Sequence, residues 1–252
     1  MDYYDPRRRA LRAVRQLLYP RECPFCGRVL GDVRDCPDCA VQLETLRRKP
    51  GIRLDPAQHY ISNLAGAAAP YRYNGCVRRG ILHTKYHAAP WAAVELGLWL
   101  AKLAFGSEMH MAGAEPVPEL VEGMSLGYDC IVPVPLHTRR LLARGDNQAA
   151  YIAEGIASRM GVPVEDRAVS RLRNNPSQTT RSSAGRWENV RDLFAVARPG
   201  ALAGRHVLLV DDVVTTGSTL LSCTEALLRA VPDCRVSIAA LAVSRRHFGL
   251  DR

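Results

Sequence analysis

Two sets of residues in this chain have types and spacings suited to chemistry. The first is Asp211 and Asp212, followed by Thr215, Thr216, Gly217, Ser218 and Thr219. Threonine and serine hydroxyls hydrogen-bond phosphate oxygens, and a glycine lets the backbone come close. A helix opening here adds unpaired N–H groups and a positive dipole end. The carboxylates repel phosphate, but they accept hydrogen bonds from sugar hydroxyls. Together these groups suit a phosphorylated sugar. The plain alternative is a helix start rich in capping residues after a core strand. An acid pair at the carboxyl end of a buried strand argues against it, because ligands favour that edge of α/β sheets.

The second set is Cys23, Cys26, Cys36 and Cys39, two Cys-x-x-Cys pairs separated by nine residues. Four thiolates so spaced can close a tetrahedral zinc site, and a site without an open position is structural. Disulfides and redox chemistry are the rivals. The chain shows no apolar signal core after its N-terminal arginines, and Cys76, Cys130, Cys223 and Cys234 stand alone. That usage fits a reducing, cytoplasmic setting. One redox motif would suffice, and neither pair lies between a strand and a helix.

A third cluster lies in Val132-Pro-Val-Pro135 and the residues after it, where Arg139, Arg140 and Arg144 precede Asn147. Guanidinium groups bind phosphate oxygens in pairs, so arginines beside a strand end suit a pyrophosphate. A solvated basic loop is the alternative.

The elements that must position these groups alternate regularly in the second half. Val207–Val210 reads as a buried parallel strand, Ser218–Ala230 as its helix and Arg235–Val243 as the next strand. Tyr128–Pro135 and Leu193–Val196 read as strands, and 147–160 as a helix stopped by Gly161. Arg171–Glu188 reads as a mobile polar loop. The pattern predicts an α/β fold with a parallel sheet and right-handed crossovers. Ahead of it, Ala67–Tyr73 reads as a strand or hairpin, with helices over 77–87 and from Trp91. The predicted division is a basic amphipathic helix over 1–19, a zinc-ribbon-like knuckle over 20–48, a hood or helical subdomain with an irregular insertion over 57–127, and a core over 128–247.

The 252 residues are enough for one substantial α/β domain plus a small appendage. No segment approaches the ~18–20 apolar residues a membrane span needs. A net charge of +9 favours polyanionic partners such as nucleotides or nucleic acid strands. Aromatics make up only 6%, so extended base-stacking platforms are not evident.

The run Val207-Leu-Leu-Val-Asp-Asp-Val-Val-Thr-Thr-Gly-Ser-Thr219 resembles the phosphoribosyl-pyrophosphate loop of type I phosphoribosyltransferases. Taken in order with the cysteine pairs, Val132-Pro-Val-Pro-Leu-His137 and Arg144-Gly-Asp-Asn-Gln148, it resembles the ComF/GntX family over residues 20–245. That resemblance implies the type I phosphoribosyltransferase fold with a small hood, and phosphoribosyl pyrophosphate with Mg²⁺ as ligand. It implies a link to DNA uptake in natural transformation, with single-stranded DNA and a DNA-uptake helicase as partners. It places Gln178, Arg186, Asn189 and Phe194 in a segment that closes over pyrophosphate, and it matches Lys85-Tyr86. Asp146 replaces a usual aromatic and Arg181 a usual leucine, which leaves base and partner specificity open.

Two functions remain open at this stage. One is pentosyl transfer: Asp211 and Asp212 fix the ribose, 215–219 hold the 5′-phosphate, and the arginines with Mg²⁺ neutralise pyrophosphate. Lys85, Arg144 and Arg186 are its catalytic candidates, and nothing names the acceptor. The other is a non-catalytic module that binds single-stranded nucleic acid or senses nucleotides. An amidophosphoribosyltransferase is rejected, because a glutaminase of that type needs an N-terminal cysteine and this chain starts Met1-Asp2.

Overall fold

A computed structural model describes residues 22–30, 33, 35–48, 64–86, 89–105, 127–173 and 193–244. The readings for the 1–19 helix, most of the 108–127 insertion, Gln178, Arg181, Arg186 and Asn189 lie outside these residues. In chain order the elements begin with α1 (Pro37–Leu46), β1 (Leu64–Ala68), β2 (Tyr71–Arg72), α2 (Gly75–Tyr86) and α3 (Pro90–Phe105). They continue with β3 (Cys130–Pro133), α4 (Thr138–Arg144), α5 (Gln148–Met160), β4 (Val169–Arg171), β5 (Phe194–Val196), β6 (His206–Val214), α6 (Ser218–Ala230) and β7 (Arg235–Val243). No helix is long and apolar enough to cross a membrane among the described residues.

The central sheet runs β1-β7-β6-β3, with β2 also on β7, and every pairing is parallel. Two apolar clusters line its faces. Leu208 and Val210 belong to one, with Ile152 and Ile156 of α5 and Leu96 and Leu100 of α3. Val207 and Leu209 belong to the other, with Leu220, Cys223 and Leu227 of α6. Because both faces of β6 are covered, its apolar run is continuous rather than alternating.

After β3 the chain passes along the α5 face to Val164, which bridges the outer side of β3. After β6 it passes along the α6 face to β7, in the opposite direction. The connections therefore diverge between β3 and β6, and a crevice opens there at the carboxyl ends of the strands.

Three expectations need correction. The central strand extends to Val214, and Asp211 stays in the ladder opposite Ala240, so the acid pair lies within the strand rather than after it. Residues 67–73 form no hairpin. β1 and β2 lie in series along the same edge of β7, because that edge offers a parallel partner to each. Arg171 belongs to a strand, since β4 pairs antiparallel with β5 and sets Arg171 opposite Phe194.

Local signals explain the helix ends. Asn147 caps α5 by accepting from the Ala149 N–H, and Gly161 ends it at φ 69°. The crossing of α3 and α5 has no room for side chains at two points. A Cβ on Gly97 would collide with the Ile152 carbonyl oxygen, and one on Gly155 with that of Val94.

Candidate functional site

The acid pair and the hydroxyl-rich turn stand at the carboxyl end of β6, and the helix bearing the arginines follows the neighbouring strand β3. The alternation of successive β6 side chains between the two faces of the sheet carries through the acids, and their partners differ accordingly. Asp212 meets Lys85 of α2, with 2.7 Å between Nζ and Oδ2. Asp211 lies on the α6 side, within electrostatic reach of Cys223 and Arg171. The Asp212 N–H donates to Asp211 Oδ1 at 2.8 Å.

Part of Asp211 reaches solvent. Even so, burial, reinforced by the neighbouring charge of Asp212, pushes its carboxyl up to about 7. Burial works against the Lys85 ammonium, yet Asp212 and then Asp211 outweigh it and raise its pKa. A cation facing the acid pair is thus built into the site.

Past β6 the chain turns at Gly217, whose φ of 75° is a left-handed conformation that suits glycine. Thr216 and Ser218 share a hydroxyl hydrogen bond of 2.8 Å at the start of α6. Thr215 is exposed, and Thr216, Ser218 and Thr219 are half-buried, so the hydroxyls border the crevice.

Arg139, Arg140 and Arg144 ride on α4, a short helix rather than a solvated loop. Its start is signalled by His137, which accepts from the Arg139 N–H, and its end by Gly145 at φ 88°. Asn147 ties this segment to β3 by donating to the Val134 carbonyl at 3.1 Å. Gln148 donates to Asp146 at 2.7 Å and accepts from Arg144 at 3.3 Å.

Sequence reasoning missed Arg171. Its guanidinium lies 5.5 Å from the centroid of the Phe194 ring. Burial lowers its pKa, and the charge of Arg140 lowers it further. Two arginines within electrostatic reach of each other suit an anion between them. The structure reveals it by pairing Val169-Ser-Arg171 with Phe194–Val196, two short strands far apart in sequence.

The cysteine cluster stands apart from the crevice. The four Sγ atoms lie within 4.8 Å of one another, at 3.9 Å for Cys23–Cys39 and 3.6 Å for Cys26–Cys36. Zinc–sulfur bonds of about 2.3 Å in a tetrahedron separate sulfurs by about 3.8 Å, so the donors fit zinc. A disulfide would need about 2.05 Å. The first turn is closed by the Gly27 N–H to the Cys23 carbonyl, and Cys36 precedes α1.

The described family model "Phosphoribosyl transferase domain" matches residues 146–249, which include the acid pair and the turn. Over 101 residues the chain is 37% identical to the DNA utilization protein YhgH of Salmonella typhi, covering 40% of this chain and 44% of that protein. It therefore spans less than half the length of that relative. The competence protein ComFC of Bacillus subtilis is 24% identical over 217 residues, 85% of this chain and 75% of that one. These matches support a ComF-type, phosphoribosyltransferase-like protein. Its parallel sheet with helices on both faces is the type I phosphoribosyltransferase fold. Among solved structures, the glutamine phosphoribosylpyrophosphate amidotransferase of B. subtilis aligns at 22% identity and a TM-score of 0.34, over 58% of this chain and 25% of that one. Asp146, where the ComF/GntX pattern that the sequence resembles has an aromatic, accepts a hydrogen bond from Gln148.

Proposed function

We propose that this protein binds phosphoribosyl pyrophosphate as its Mg²⁺ complex in the β3–β6 crevice, in a role tied to the use of incoming DNA. The observation that carries the reading is the acid pair and the Gly217 turn at the carboxyl end of β6, where the strand connections diverge. In this reading Thr215–Thr219 hold the 5′-phosphate with hydroxyl and backbone N–H groups. Asp211 and Asp212 accept hydrogen bonds from the ribose hydroxyls. Arg139, Arg140, Arg144 and Arg171 face the pyrophosphate. Mg²⁺ supplies further neutralisation of the phosphate charge when bound.

If the sugar is transferred, the bond from its anomeric carbon to pyrophosphate breaks and positive charge develops on the ribose. Asp211 and Asp212 then lie where that charge is stabilised, and catalysis is positioning and electrostatics rather than covalent chemistry. The DNA link is supported by the names of the relatives, a DNA utilization protein and a competence protein.

Calorimetric titration with phosphoribosyl pyrophosphate and Mg²⁺ tests the site. Binding to the unaltered protein and its loss in the Asp211→Asn/Asp212→Asn double variant are expected; equal affinity for both would end the reading. The net charge of +9 favours one second reading, direct binding of single-stranded DNA. Affinity for an oligonucleotide that falls steeply with salt and survives in the double variant supports it.

A further inference from the structure

One helix joins the cysteine knuckle to the acid pair. At the first turn of α2 the Cys76 N–H donates to Gln42 Oε1 of α1 at 2.6 Å. Cys76 is buried in the same cluster as Cys39 and Leu43. One turn later Gly80 lies under the turn between Cys23 and Cys26. A Cβ added there would stand 2.7 Å from the Pro24 carbonyl oxygen and 3.1 Å from the Phe25 Cα. Phe25 itself is 2% exposed and meets Tyr71 and Trp99 edge to face, at 6.2 and 5.8 Å. The turn that carries two of the sulfurs is thus wedged among α2, α3 and β2. At the far end of the same helix Lys85 reaches Asp212. Lys85 follows Cys76 by nine helical steps, about 13.5 Å of stiff rod.

We propose that the knuckle is a positioning device for the crevice: with a metal held by Cys23, Cys26, Cys36 and Cys39, the Pro24–Phe25 turn and Gln42 fix α2, and α2 sets Lys85 against Asp212. A knuckle that stabilised only itself would need neither the Gly80 contact nor the Gln42 bond to α2. Lys85 then acts on ligand through Asp212, and the knuckle acts through Lys85. The proposal rests on the phosphoribosyl reading only for the ligand half of its test.

The test compares full-length metal-loaded protein with protein stripped by a chelator under reducing conditions. Hydrogen exchange is measured first, without ligand. Stripping should raise exchange about tenfold or more across 76–86, through the turn bearing Lys85, while β6 and β7 stay protected. Faster exchange confined to 23–46 overturns the proposal. Should stripping also expose β6 and β7, the Gly80→Ala variant decides: with its zinc content unchanged by colorimetric assay it must show the same loss of protection in α2, and normal α2 exchange there overturns the proposal. Titration with phosphoribosyl pyrophosphate and Mg²⁺ follows. Stripping should weaken binding about tenfold in the unaltered protein and hardly at all in Lys85→Gln, because the two changes remove one shared effect. Independent, multiplying effects overturn it. Absence of binding in loaded, unaltered protein would sink the phosphoribosyl reading alone, since the exchange result still decides the coupling.

Discussion

The Lys85 ammonium sits 2.7 Å from an Asp212 carboxylate oxygen, with side-chain exposures of 19% and 13%. This pair ties the helix beside the cysteine knuckle to the strand at the centre of the sheet. Little solvent screens it, so each charge depends on the other.

Replacing Lys85 by Met leaves Asp212 an unpaired, mostly buried charge. The expected cost is about 3 kcal/mol, the scale for breaking such a pair from one side. Urea unfolding measures it. Adding Asp212→Asn to Lys85→Met should restore a substantial part, and a double variant less stable than Lys85→Met would contradict the pairing.

Asp211 predicts a pH dependence. Its folded pKa of about 7 stands above the ordinary 3.8, chiefly because of burial and next because of Asp212. Between those values the folded state holds more protons than the unfolded one, so stability falls as pH rises from about 4 to 7. Asp211→Asn removes that slope. In thermal unfolding the gain of Asp211→Asn over the unaltered protein should be larger at pH 8 than at pH 5; a gain that shrinks with pH would refute the assignment.

The knuckle predicts one zinc per chain, released by chelation with a fall in melting temperature. Cys36→Ser should weaken zinc retention without changing the secondary structure of the sheet, as followed by colorimetric zinc assay and circular dichroism. Full zinc retention in Cys23→Ser/Cys36→Ser would rule the site out.

Arg171 and Arg140 predict a shared anion. Each change to Met should weaken inorganic pyrophosphate binding about tenfold, the scale of one lost charge-assisted contact. The two together should lose less than the product of the single effects. Unchanged affinity in Arg171→Met would remove this residue from the site.

The α3–α5 crossing predicts intolerance to small additions. Gly155→Ala places a methyl against the Val94 carbonyl and should cost about 1–3 kcal/mol in unfolding free energy, the range for overpacking. Gly161→Ala, in open space at positive φ, should cost less, through backbone strain alone.

Much of the architecture was readable from local patterns. Asn147 and Gly161 bracket α5, and the bounds of α6 and β7 follow from periodicity. The end of β6 was not readable, because acids look like a strand stop until a neighbouring strand supplies ladder partners, as β7 does opposite Asp211. The α4 helix was hidden behind the charge of its arginines, since it has no buried residue to create an apolar period. Arg171 was missed because a three-residue strand pairs with β5 only through a connection far longer than the strand itself.

By itself the sequence determined what depends on near neighbours: the turn at Gly217, the spacing of the four cysteines, the caps of α5 and the order of strands and helices. Those follow from dihedral preference, short loop closure and hydrophobic period, which a few residues settle. Only the tertiary structure decided that Lys85 belongs to Asp212, that Arg171 feels the charge of Arg140, and that the knuckle packs against the helix bearing Lys85. These are contacts between segments distant along the chain. Burial of the sheet faces brings them together, and no local pattern encodes them.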